Sequence, residues 1–119
     1  MIKMPNSTKI LREMTENLPL ICYSNKQNTK TLAEQGIKLS EKTKLEVTGV
    51  IDFGEFGGVM CMIAHSDQPL IMSVTGLDFK DNGLIDEKIL EYKNARIEWL
   101  KQEELRDMRL GLEKRTKVP

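Results

Sequence analysis

Between residues 43 and 79 the chain carries three β-like runs separated by two short turns and followed at once by a long helical pattern. No other feature constrains the fold as strongly. Residues 44–53 alternate apolar and polar side chains, residues 59–65 are apolar at nearly every position, and residues 70–75 form the third run. Gly54-Glu55-Phe56-Gly57-Gly58 and Ser66-Asp67-Gln68-Pro69 are the turns between them. Leu45, Val47, Ile51 and Phe53 share a parity, and Val50 breaks it beside Gly49, which predicts a bulge or a close backbone approach. In the second run Val59, Cys61 and Ile63 lie on one face and Met60, Met62 and Ala64 on the other. A strand apolar on both sides belongs centrally in a sheet, under helix on one face and under other structure or a partner subunit on the other.

Upstream, Asn6 or Ser7 is placed to cap a helix whose Ile10, Leu11, Met14 and Leu18 line one face, and Pro19 stops it. Residues 18–23 read as a short extended segment and residues 24–30 as a polar loop. Thr31-Leu32-Ala33-Glu34 has capping-box spacing and Gly36-Ile37 matches a left-handed stop, which predicts a single helical turn there. Downstream, Asp86 reads as the N-cap of the last helix, with Ile85 and Leu90 at the staple positions, and Gly111 as its end. Its stripe is Ile89, Tyr92, Ala95 or Arg96, and Trp99, widened by Leu90, Ile97 and Leu100. About 25 residues make a helix of roughly 37 Å, whereas strands of about seven residues make a sheet of roughly 23 Å. The last two turns are therefore expected to overhang.

The expected fold is α+β: an N-terminal helix, a three- to four-stranded antiparallel meander whose fourth strand is residues 20–23, and a long C-terminal helix over about 86–110 packed across the sheet. Its length of 119 residues suits one domain, residues 1–119. Lysine plus arginine equals aspartate plus glutamate at 18 each, so no net field draws the whole chain to nucleic acid or an anionic membrane. The charges are unevenly spread. Residues 1–44 hold 8 basic and 4 acidic side chains, residues 45–88 hold 2 and 8, and residues 89–119 hold 8 and 6. Such a layout steers partners or favours head-to-tail contacts where it is not merely solvated surface. The longest apolar run, residues 56–64, is about half a bilayer span, no leader pattern opens the chain, and Cys22 and Cys61 stand isolated. These features read as a cytoplasmic protein with no membrane segment.

No catalytic or ligand signature is complete. Cys61 and His65 are the one pair that suggests nucleophilic chemistry, yet i and i+4 in a strand stand about 13 Å apart. Residues 78–86 resemble part of a calcium loop, but Lys80 occupies the third ligand place and Ile89 the twelfth. The glycines of residues 54–58 join strand to strand and include Glu55, unlike a phosphate cradle. Asp52, Glu55 and Asp67 are read as turn acids, so neither a metal nor a cofactor is expected. The order helix, three strands, helix is also that of double-stranded RNA-binding domains, which place lysines at the start of the second helix. Here that place reads Asp86-Glu87-Lys88, which counts against nucleic acid. Lys26, Lys30, Lys38, Lys42 and Lys44 remain the basic group an RNA would touch.

The leading expectation is a non-enzymatic interaction or regulatory protein, a homodimer or a subunit of a small assembly. Its partner face is placed at the overhang, with Leu105, Met108 and Leu112, and at Trp99, which reads as core more than as interface. The alternatives are a small enzyme or ligand-binding protein gathering Cys61, His65 and the sheet-end acids, and an RNA-associated protein using the basic N-terminal third.

Overall fold

The computed structural model describes the backbone of residues 3–65 and 69–117, and the side chains of these residues other than 56, 107 and 109–117. Asn6 caps α1 (Ser7–Glu16), its Oδ1 accepting the Thr8 amide at 3.0 Å and the Lys9 amide at 3.4 Å. Ile10 and Met14 are buried beneath this helix, with Leu11 and Leu18 packed at the margin. After Pro19 comes β1 (Leu20–Ser24), which turns Leu20, Cys22 and Ser24 inward.

Residues 24–30 are not a loop. Asn25 caps a nine-residue helix, α2 (Lys26–Glu34), by accepting the Asn28 amide at 2.9 Å. Thr31 sits inside that helix, its hydroxyl donating to the Gln27 carbonyl at 3.0 Å. Leu32 is the buried residue of α2, so the helix leaves no apolar periodicity in the sequence. Gly36, at φ +83°, ends it as expected, with the Gly36 amide on the Ala33 carbonyl and the Ile37 amide on the Leu32 carbonyl.

The sheet has five strands rather than three or four, all antiparallel. To β1 are added β2 (Leu45–Asp52), β3 (Val59–Ala64), β4 (Leu70–Ser73) and β5 (Leu77–Phe79), in the spatial order β4-β3-β2-β1-β5. A one-turn helix, α3 (Gly54–Gly57), forms the tip of the β2–β3 hairpin; Gly54 opens it and Gly58 follows it, both at positive φ. Both edge strands are consecutive in the chain, joined by a single 3-10 turn, Val74–Gly76. In a flat sheet four strand spacings would hold those edges about 19 Å apart. Four residue steps from Ser73 to Leu77 reach at most about 14 Å even when extended. The sheet therefore has to curl, and its concave side encloses Leu20, Cys22, Leu45, Val47, Cys61 and Ile63.

The bulge expected beside Gly49 is present as a register shift between Val47 and Gly49. It reverses the parity of β2, so Val47 and Val50 both pack toward the core while Ile51 turns outward beside Met60. Met62 lies across Gly49, where a Cβ would stand 2.5 Å from its Cε.

The last helix, α4 (Ile85–Lys117), packs its first half against β5, the 3-10 turn and α1. It starts at Ile85, which places Asp86 in the first turn rather than at the cap. The Asp86 carboxylate reaches back to accept the Asn82 backbone and side-chain amides at 2.9 and 2.7 Å. Ile85 is buried and Leu90 exposed, so they form no staple; residues five apart meet that way only when the cap lies just after the first. The helix also runs through Gly111. An interior glycine costs about 1 kcal/mol against alanine, and Leu110, Leu112, Glu113 and Lys114 are good helix formers. The 33 residues span about 50 Å, nearly the 53 Å long axis of the molecule.

Candidate interaction surfaces and buried polar groups

The inward stripe of α4 is Ile85, Ile89, Tyr92, Arg96 and Trp99, all buried. It stops there: half-buried Glu103 and exposed Arg106, at the next places, form a pair at 4.0 Å, and the exposed Glu98 and Lys101 another at 3.8 Å. At 100° per residue Leu90, Ile97, Leu105 and Met108 fall within a sector of about 80° on the opposite side. Leu105 is 62% and Met108 58% exposed. Leu112 continues this line in the sequence, and its side chain lies outside the described residues. Trp99 takes no part in the exposed line. Its ring is 6% exposed and carries the Arg96 guanidinium 5.3 Å above its centre.

A second apolar surface lies on the convex side of β2, β3 and β4. Cross-strand pairing sets Ile51 beside Met60, and Met62 beside Ile71. Ile71 is 54% and Ile51 39% exposed, the two methionines are half-buried, and Phe53 is exposed at the end of the patch. Glu46 on β2 and Glu55 at the hairpin tip are exposed near it, whereas Asp52 pairs with the buried Val59 and so lies on the opposite face from Ile51. Sequence parity alone placed Ile51 and Phe53 with the core-facing Leu45 and Val47. The bulge moves them outside.

Arg96 is 2% exposed. Its Nη1 donates to the Glu55 carbonyl at 2.6 Å, tying α4 to the hairpin tip, and its Nη2 has no hydrogen-bond partner among the described residues. Burial pushes the neighbouring Tyr92 phenol upward, opposed by the Val59 backbone, the Arg96 charge and the Ser7 hydroxyl. Lys93 is buried too, its Nζ donating to the Leu77 carbonyl and the Asp78 carboxylate, each at 2.8 Å. Asn82 works as a side-chain strand: its Oδ1 accepts the Ile21 amide at 2.6 Å and its Nδ2 donates to the Ile21 carbonyl at 2.8 Å. None of these roles was singled out from the sequence. The available signals were an arginine on an apolar helix stripe and an asparagine just outside a strand.

Among the described residues, those of the enzymatic alternative do not gather into one cluster. Cys22 and Cys61 face the core and are fully buried, and their thiols are pushed up to about 12, by burial first and then by Asp78 for Cys22 and by Cys22 for Cys61. That is the reverse of thiolate activation. His65 stands half-exposed just beyond β3. The Asp52 carboxylate accepts the Gly54 amide at 2.9 Å, Asp78 is bound to Lys93, and Asp67 lies outside the described residues. Among the described residues no three metal-ligating side chains gather. Half-open grooves of about 300 and 270 Å³ run along α4, against α1 and against β5, and neither is lined by Cys61, His65 or Asp52. Lys26, Lys30, Lys38, Lys42 and Lys44 are exposed on α2 and the segment after it. Among the described residues no helix is long and apolar enough to cross a membrane. Comparison with protein-family models, curated proteins and solved structures finds no match to this chain.

Proposed function

We propose that this chain works by protein–protein association, as a cytoplasmic homodimer or a subunit of a small assembly, and that the distal half of α4 is its contact surface. One observation carries the reading. The helix continues for about five turns past Trp99, the last buried residue of its inward stripe among the described residues, and there it presents Leu105 and Met108 to solvent. A charged helix that leaves its own domain loses the packing that stabilises most helices in proteins. Apolar side chains set along it at i and i+3 are the usual anchors of a helix laid against a partner.

The test is Leu105→Glu combined with Met108→Glu, followed by sedimentation equilibrium across a wide concentration range. Both side chains are exposed, so folding should be retained and association should weaken by roughly tenfold or more. An association state identical to the parent chain's would sink the proposal.

A further inference from the structure

Two stretches of opposite charge lie on one chain, each next to exposed apolar side chains. Residues 45–64, which form the β2–β3 hairpin, include Glu46, Asp52 and Glu55 and no lysine or arginine. Residues 109–117, the end of α4, include Arg109, Lys114, Arg115 and Lys117 against Glu113 alone. Each charged stretch adjoins an apolar one: Ile51, Met60, Met62 and Ile71 on the sheet, Leu105 and Met108 on the helix. The dimensions also agree. Residues 105–117 make about 20 Å of helix, and the six- to eight-residue strands beneath the patch run about 20–26 Å.

We infer that the occupant of the convex face of β2–β4 is the α4 overhang of a second copy of this chain. Leu105 and Met108 lie over Ile51, Met62 and Ile71, and the basic end of the helix passes the acidic hairpin tip. The methionines suit this use, since an unbranched thioether reshapes itself around an incoming side chain. A reciprocal pair, in which each copy gives its overhang and receives the other's, closes with two-fold symmetry and covers both surfaces. A one-way contact would propagate into an open chain. This inference rests on the proposed role of the overhang and adds its receptor.

Two variants of the full chain test it. Leu105→Glu/Met108→Glu disables the giving surface, and Ile51→Lys/Ile71→Lys disables the receiving one, all at exposed positions; circular dichroism and thermal melting establish that each remains folded. Sedimentation equilibrium should find the parent chain associated, either variant alone weakened by roughly tenfold or more, and an equimolar mixture of the two forming a one-to-one complex. Parent association should also weaken as ionic strength rises from about 0.05 to about 0.5 M, because added salt screens the attraction between the basic helix end and the acidic hairpin. If the sheet variant associates like the parent while the helix variant does not, the inference falls and the role of the overhang stands. If the helix variant associates like the parent, both fall. Two weakened variants that fail to combine when mixed would also overturn the inference, since helix and sheet would then be meeting other surfaces.

Discussion

Replacing Gly58 with alanine should cost far more than its place beside a surface hairpin suggests. Gly58 has φ +65° and ψ −154°, a region that side chains other than glycine's enter at a cost of about 1–3 kcal/mol. A Cβ built there would also meet Arg96, at 2.7 Å from Nε, 2.9 Å from Cζ and 3.2 Å from Nη2. The guanidinium cannot withdraw freely, because Nη1 is held by the Glu55 carbonyl at 2.6 Å and Trp99 lies beneath it. Displacing it forfeits part of a charged hydrogen bond worth about 1.5–3 kcal/mol. Together these effects amount to about 3–4 kcal/mol. Unfolding entropy near 2.1 cal/mol/K per residue gives about 0.25 kcal/mol/K for this length, so the melting temperature should fall by about 12–16 °C. Urea unfolding followed by circular dichroism measures the loss, and the same substitution in an Arg96→Met background separates its two causes. There the clash is gone, and the loss should shrink by about 1–2 kcal/mol to the backbone strain alone. A loss below about 1 kcal/mol in the parent would refute the strain argument, and an equal loss in both backgrounds would refute the role given to Arg96.

Arg96→Met by itself should leave stability within about 1 kcal/mol of the parent in the same urea titration, because it removes a buried charge with an unsatisfied N–H as well as a bond. Asn82→Ala should lower the urea midpoint by the equivalent of about 1–3 kcal/mol, since the Ile21 amide loses its partner and the Ile21 carbonyl keeps only the longer bond from the Lys80 amide at 3.4 Å; a change under about 0.5 kcal/mol would mean water substitutes freely. Lys93→Met should cost about 1–2 kcal/mol, through the Leu77 carbonyl left without its donor, and a stability gain would contradict that account. The thiols predict alkaline sensitivity. Cys22 and Cys61 stay protonated in the native state up to about 12, whereas the unfolded chain loses those protons from about pH 9 upward. The unfolded state then binds fewer protons, so stability is intact below pH 9 and falls between pH 9 and about 12, by up to about 1.4 kcal/mol per pH unit for each thiol. Chemical unfolding at a series of pH values should find that slope, and a Cys22→Ala/Cys61→Ala variant should flatten it.

The parts of the fold legible in the sequence are those where one periodicity runs for two turns of helix or one full strand. Ile10 and Met14 reveal α1, residues 44–75 reveal three strands, and Ile89, Tyr92 and Trp99 reveal the packed half of α4. The bulge was readable from the broken parity at Val50, but which residues it would expel was not, because that depends on the position of the extra residue. What stayed hidden had too short a pattern or none. A single buried leucine marks α2, and three residues make β5, whose pairing with β1 joins positions more than fifty apart. Leu105 and Met108 could be picked out because apolar residues in a charged stretch are conspicuous. The convex patch could not, because Ile51 and Ile71 look like core until the bulge and the edge position of β4 are known.

Because the sheet's two margins are neighbours in the chain, synthesis meets a delay. On a ribosome β1 emerges early and gains β2 as soon as the first hairpin side is made, but its other flank waits for residues 77–79. At about 5–20 residues per second the 55 residues from Ser24 to Phe79 take about 3–11 s. Throughout that interval a strand holding Leu20, Cys22 and Tyr23 shows an unpaired backbone row to its surroundings. The Asn82 amide on Ile21 then closes the far end of that flank, and a transcript cut short before codon 77 would yield a chain with one raw margin, prone to pairing with its siblings.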